Sequence, residues 1–349
     1  MPLVWGGRFG VPVKAVCMKI WPIATAAVSA VVLAGSAAGA RPAPVRVGVV
    51  LKPLDNPFFV PMYVGTRAEA ARRGVRLTVR SVPSDTDLVG QAAQLRALVA
   101  QHNDCYVVNP IATTNLVSAL RGVTRPIVNV DSPVGPAAAR RAHVRIRTYI
   151  GTNDFAAGRR AAARMASLLP KGGDIALLAG NLHNVNSDLR LAGFERGIRR
   201  SRLHVVARVI ADYDRTKAQI AAGRILREHP RTSGFFAAND VMALGIADAL
   251  RDAGMTGRVR IIGVDGTADA LDAIRAGAID ASVSQYPYVM GRMAVEACVA
   301  AARGARLPAR VDAPIALLTK DNVARAIRAF PRPFQRYADP FSRLLGGRG

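Results

Sequence analysis

Residues 45–59 read Val-Arg-Val-Gly-Val-Val-Leu-Lys-Pro-Leu-Asp-Asn-Pro-Phe-Phe. The apolar run Val45, Val47, Val49, Val50, Leu51 predicts a buried strand that stops at Lys52-Pro53. Asp55-Asn56-Pro57 then predicts a helix start, with Asn56 as the cap and Pro57 in the first helical position, where its missing N–H removes no bond. A parallel strand that hands over to a helix puts Asn56, Phe58 and Phe59 outside the carboxyl end of a sheet, where open α/β folds bind small ligands. An amide and two aromatic rings at that place suit a ligand with hydroxyls on its rim and C–H groups on its faces, as sugars and polyols have.

Downstream the pattern repeats. Helix 57–73, closed by Gly74, is followed by strand 76–81, helix 85–101, strand 105–108, helix 113–121 and strand 126–130, while 135–147 reads as a loop. The alternation restarts at Tyr149-Ile150-Gly151-Thr152. Helices are expected at 154–169, 187–200, 215–228, 240–253 and 268–276, between strands 174–178, 204–210, 234–237, 259–264 and 279–284. Helix 287–302 and a short strand near 315–318 precede a basic tail with Phe330, Phe334, Tyr337 and Phe341, whose sequence leaves open whether it packs. Strands alternating with helices over short turns predict parallel sheets covered on both faces, in two doubly wound units. Polar residues close nearly every strand: Asn109, Asp131-Ser132, Asn181, Asp212-Tyr213, Asn239-Asp240, Asp265 and Gln285. A cap needs one such residue, whereas a cleft between two matching rims needs many.

Composition narrows the function. Residues 1–40 carry Arg8, Lys14 and Lys19, no acid, an apolar run from Ile20 to Leu33 and a small-residue end at Ala38-Gly39-Ala40, the form of a cleaved export signal, with Met18 as an alternative start. No other stretch is long and apolar enough to cross a bilayer. The net charge is +24, yet only six of the 48 basic residues are lysines and the arginines are scattered, without a run interleaved with aromatics. A solvated basic surface is expected rather than a nucleic-acid interface. Cys17 would leave with the signal, and Cys105 and Cys298 read preferentially as buried free thiols, a single bridge being the other possibility.

Catalytic patterns are missing. There is no phosphate-binding G-x-x-x-x-G-K-[ST], no G-x-G-x-x-G after a strand, no G-x-S-x-G and no H-E-x-x-H. The five histidines have no metal-ligand spacing, and Asp212 with Asp214 reads as turn and helix cap rather than as a glycosidase dyad. Neither cofactor nor metal is expected, and the chain reads as a binding protein rather than an enzyme.

The series DNPFF, VVNP, IVNVD, R-x-x-G-F at Arg190–Phe194, ADYDR, FFAANDVMALG, IIGVDGT and VSQYP resembles the periplasmic sugar-binding proteins of ABC importers, of the ribose-binding type, from about Val45 to Leu318. The resemblance implies two Rossmann-like lobes joined by a three-crossover hinge near Gly151-Thr152, Gln285-Tyr286 and Asp312–Pro314. Residues 41–151 with 286–314 would form the first lobe, and residues 152–285 with 315–349 the second. It implies a monomer that delivers its ligand to a membrane permease, with a sensor for a chemoreceptor or kinase, or a lactose-repressor-type regulator core, as alternatives.

Carried over by position, Phe58, Phe59 and Tyr213 would stack on the sugar. Asn56, Asn109, Asp131, Asn239, Asp265 and Gln285 would bond its hydroxyls, and Arg190 belongs to the same set. Departures from the ribose type are Ser132 for an arginine, Asp188 for a second arginine, Lys52 for a small hydroxyl residue and Val264 for an aromatic. They imply a more acceptor-rich cleft that favours a hexose, cyclic polyol or amino-bearing sugar over ribose, with Lys52 pairing Asp188 or reading the ligand.

Overall fold

The computed structural model describes residues 43–346. The chain begins with β1 (Arg46–Val50), α1 (Phe59–Arg73), β2 (Arg76–Arg80), α2 (Leu88–Val99), β3 (Cys105–Val108), α3 (Val117–Leu120), β4 (Ile127–Val130), α4 (Pro136–Arg141) and β5 (Ile146–Gly151). It continues with α5 (Asp154–Leu168), β6 (Gly173–Ala179), α6 (Val185–Ile198), β7 (Leu203–Ile210), α7 (Arg215–Glu228), β8 (Thr232–Ala237), α8 (Asp240–Asp252), β9 (Arg260–Asp265), α9 (Ala268–Ala276) and β10 (Ala281–Ser284). The last elements are α10 (Pro287–Ala302), β11 (Arg310–Asp312), β12 (Ala316–Thr319), α11 (Val323–Ala329) and α12 (Pro340–Leu344).

Two six-stranded sheets result, ordered β11-β5-β4-β3-β1-β2 and β12-β10-β9-β8-β6-β7. Every pairing is parallel except that of β10 with β12. The strands are apolar on both faces because helices cover both: β3 and β4 are buried along their whole length, and β1 at all but its first residue. In each sheet the order reverses beside the first strand, between β1 and β3 and between β6 and β8. These are the two switch points at which such sheets leave a crevice beyond their carboxyl ends.

The two sheets are tied by more chain than the sequence suggests. The chain leaves the first sheet after β5, returns after β10 to lay α10 on α1, β3, β4 and β5, and passes from β11 in one sheet to β12 in the other. A fourth passage follows. Helix α11 packs on α9 in the second lobe, but α12 packs on α10 in the first. Along the way Arg325 lies 5.4 Å from the Phe334 ring centroid, Arg332 lies 5.9 Å from that of Tyr288, and Arg292 Nη1 donates to the Tyr337 hydroxyl at 2.8 Å. Phe341 is fully buried. The tail therefore packs, and its end joins the first lobe rather than the second, because Phe341 finds its apolar seat there.

Other departures are local. Asn56 does not cap α1; its Oδ1 accepts from the Phe58 N–H at 3.0 Å, forming a turn, and the helix begins at Phe59. Helix α2 starts at Leu88 because Asp87, not Asp85, accepts from Gly90 N–H. The expected helix 113–121 shrinks to α3, since the Asn115 side chain accepts from Ala112 N–H and donates to Gln91, holding the preceding residues in turns. The expected loop 135–147 contains α4, which opens with Pro136 in the first turn, and the start of β5.

Cys105 on β3 and Cys298 on α10 are joined by a disulfide, with Cα atoms 5.5 Å apart. The preference for free thiols is thus overturned. Sequence separation hid the contact: α10 comes back 193 residues later to lie across β3. The export-signal expectation for residues 1–40 lies outside the described residues.

Candidate ligand-binding site

The two switch points face each other across one cleft with an empty volume of about 460 Å³. From the first lobe it is lined by Lys52, Asn56, Phe58, Phe59, Asp85, Ile111 and Asp131. From the second come Asn181, Asn184, Asn186, Arg190, Tyr213, Asn239 and Asp265. The lobes meet directly: Asn186 Nδ2 lies 3.4 Å from the Asp131 carbonyl oxygen and 3.5 Å from its Oδ1.

Local backbone explains why these side chains point inward. Asp131, Tyr213 and Asp265 have φ of 57°, 59° and 130°, a left-handed turn at the end of a strand that side-chain-bearing residues adopt at a cost. In exchange each reverses out of its sheet and presents its side chain to the crevice. Phe58 and Phe59 sit edge to face, with ring centroids 5.1 Å apart and planes at 87°, so one ring supports the other at the mouth of α1.

Arg190 organises the second wall. Its Nε donates to Asp154 Oδ1 at 2.7 Å, its Nη1 to the Ala238 carbonyl at 2.6 Å, and its Nη2 to Gln285 Oε1 at 3.0 Å, while Asp265 Oδ1 lies 3.6 Å away. Gln285 in turn donates to Asp265. Burial works against the guanidinium charge, but Asp154 and Asp265 outweigh it and hold Arg190 protonated. Burial pushes the Asp154 carboxyl up to about 6, against the pull of Arg190, and raises Asp265 as well.

The R-x-x-G-F motif has a packing reason besides. A Cβ at Gly193 would come within 2.1 Å of the Phe155 carbonyl oxygen, so glycine lets α5 and α6 approach closely enough for Asp154 to meet Arg190. Phe194 then stacks on Phe236 with centroids 4.4 Å apart.

The first wall is looser. Lys52 Nζ donates to Ser132 Oγ at 2.6 Å and lies 3.6 Å from Asp131 Oδ2 and 5.4 Å from the Phe59 ring centroid. Asn109, with its amide nitrogen turned toward Asp131, donates to Oδ2 at 3.1 Å.

Nine of the thirteen residues singled out from the sequence thus line the cleft. Asn109, Ser132 and Gln285 stand behind it and orient those that do. Asp188 is a correction: it is exposed on the outer side of α6 and meets neither Lys52 nor the cleft. Helix α6 starts at Val185, capped by Asn184, and the face at Asn186 and Arg190 turns inward, which leaves position 188 on the far side at 100° per residue. Lys52 pairs with Asp131 instead. The sequence reading missed Asp85, Ile111, Asn184 and Asn186 as cleft residues; Asn181 it placed on the rim only. The signal available for them was position alone, Asp85, Ile111 and Asn184 lying in loops beyond strands and Asn186 in the first turn of α6. Among the described residues no cluster of His, Cys, Asp or Glu is arranged to hold a metal ion.

Comparison with known proteins agrees with this geometry. Residues 47–306 match the family described as periplasmic binding protein domain. The D-allose-binding periplasmic protein of Escherichia coli K12 is 30% identical over 264 residues, 74% of this chain and 85% of that protein. The ribose import binding protein RbsB of Bacillus subtilis is 31% identical over 277 residues, 78% of this chain and 87% of its own. Among solved structures, a carbohydrate transporter solute-binding protein from Agrobacterium radiobacter in complex with D-arabinose superposes with a TM-score of 0.74 at 25% identity, covering 82% of this chain and 98% of that one. With two doubly wound lobes, a shared cleft at their switch points and a match spanning most of its length, this chain belongs to the periplasmic binding protein family.

Proposed function

We propose that the protein is an extracytoplasmic receptor that captures one sugar or polyol between its lobes and delivers it to an ABC importer permease. The observation that carries this reading is the facing pair of switch points: two aromatic rings, a tyrosine and a set of amides and carboxylates from both lobes line one cleft. The family is one of binding proteins, and relatives named for ribose and D-allose support a sugar. The binding cycle follows from the contacts. Asn186 and Asp131 touch only when the lobes are together, so opening must part them and closure must bury the ligand. The lobe division we propose is 41–151 with 286–314 against 152–285 with 315 up to the tail, residues 1–40 being an export signal.

Calorimetry on protein stripped of endogenous ligand by unfolding and refolding tests the reading, with D-ribose, D-allose, other hexoses and inositols as the panel. We expect a hexose or cyclic polyol to bind at micromolar affinity or tighter, and Asn239→Ala to weaken it by about tenfold or more. If no sugar or polyol binds, and mass spectrometry finds none in the protein as purified, the reading fails. N-terminal sequencing of the exported protein should begin at Arg41.

A further inference from the structure

We propose that Asp85 is a specificity-determining residue of the cleft and that it selects a polyhydroxylated ring carrying a protonated amine. This rests on the sugar-receptor reading above and narrows its ligand class. Five ionisable side chains line the cleft, Lys52 and Arg190 against Asp85, Asp131 and Asp265, so the acids outnumber the bases by one. Four of the five are already engaged. Arg190 spends its donors on Asp154, Ala238 and Gln285, and Lys52 is held by Ser132 and Asp131. Asp131 also receives Asn186, and Asp265 receives Gln285.

Asp85 has nothing. Its Oδ1 is sealed from solvent and has no hydrogen-bond partner. The bland role for an acid at this point, capping α2, belongs to Asp87, and the neighbours Ser84 and Thr86 bond to each other at 2.8 Å. Burial raises the Asp85 carboxyl above its ordinary range, and Lys52 offsets this only in part. A buried acceptor left unpaired is costly, and a cationic donor adds charge–charge attraction to the hydrogen bond that a neutral hydroxyl would make. An amine on the ligand would supply both the missing donor and the missing positive charge.

The test is calorimetry at neutral pH with the stripped full chain and matched pairs: D-glucose and D-glucosamine, D-galactose and D-galactosamine, D-mannose and D-mannosamine, and an inositol with its amino-deoxy counterpart. We expect at least one amine to bind about tenfold tighter than its neutral parent or better. Asp85→Asn should erase that ratio, the amine losing at least about tenfold more affinity than its neutral parent loses. Asp85→Ser, with circular dichroism melts of both variants, guards against a folding defect. Neutral parents that bind as tightly as their amines overturn the proposal, as does a ratio that survives in both variants. If neither member of any pair binds, the sugar-receptor reading is what falls.

Discussion

The two walls of the cleft are built on the same topology and finished differently. On the second wall Arg190 is saturated by an acid, a carbonyl and an amide, and Gln285 closes the ring back to Asp265. On the first, Lys52 reaches one hydroxyl and a carboxylate at 3.6 Å, and Asp85 reaches nothing. The difference teaches where rigidity and choice reside. A fully satisfied buried network fixes its members and tolerates no substitution, while a partly satisfied one leaves groups for the ligand to complete. On the proposed function, affinity for a hydroxylated ring in general would belong to the second wall, and discrimination between rings to the first.

Arg190→Met should break the comparison most severely. It leaves Asp154 and Asp265 buried without their cation, and a loss of about 3–5 kcal/mol is expected in urea unfolding, with ligand binding abolished. Replacing both Cys105 and Cys298 with Ala should cost about 2–4 kcal/mol. Because the staple joins the amino end of β3 to α10, away from the carboxyl ends that face the cleft, binding measured by calorimetry should change less than about twofold in the folded double variant. Lys52→Met, on the loose wall, should weaken ligand by about tenfold, yet lower stability by only about 1 kcal/mol, because its neighbours are fewer and less saturated. A Lys52 variant as damaging to the fold as Arg190→Met would erase the distinction between the walls.

The smallest effect is in pH. The Asp154 carboxyl sits at about 6 in the fold against 3.8 unfolded, so the native state holds its proton more tightly. The contribution is complete below about pH 4 and is lost as pH rises through about 6. Unfolding measured at pH 4.5, 5.5 and 7 should show that decline in the parent and a flatter profile in Asp154→Asn.

Much of this was legible in the residues themselves. The alternation of buried strands and helices fixes the lobes, and α7, α9 and α10 begin and end where the caps Asp214 and Thr267, Pro287 in the first helical position, and the following breakers put them. Cleft residues at strand ends could be named because a strand's carboxyl end is a place that sequence periodicity locates. What could not be seen depends on rotation or return. Asp188 was misplaced because it was assigned by position in the resemblance, whereas two residues from Arg190 along α6 it turns to the far face. Asp85 was hidden because Asp87, two residues on, took the cap. The disulfide and the seat of the tail depend on where α10 lies after a long excursion, and no local pattern records that.

The fourth passage of chain has a mechanical consequence. Phe58 and Asp265 line the ligand cleft, and they also line the small apolar chamber floored by Phe330, Pro331 and Arg332 of the tail. If the halves swing apart as proposed, they would drag, stretch or peel a tether anchored at Phe341, and the carboxyl-terminal segment would act as a travel stop on the jaw, one side chain away from the cargo.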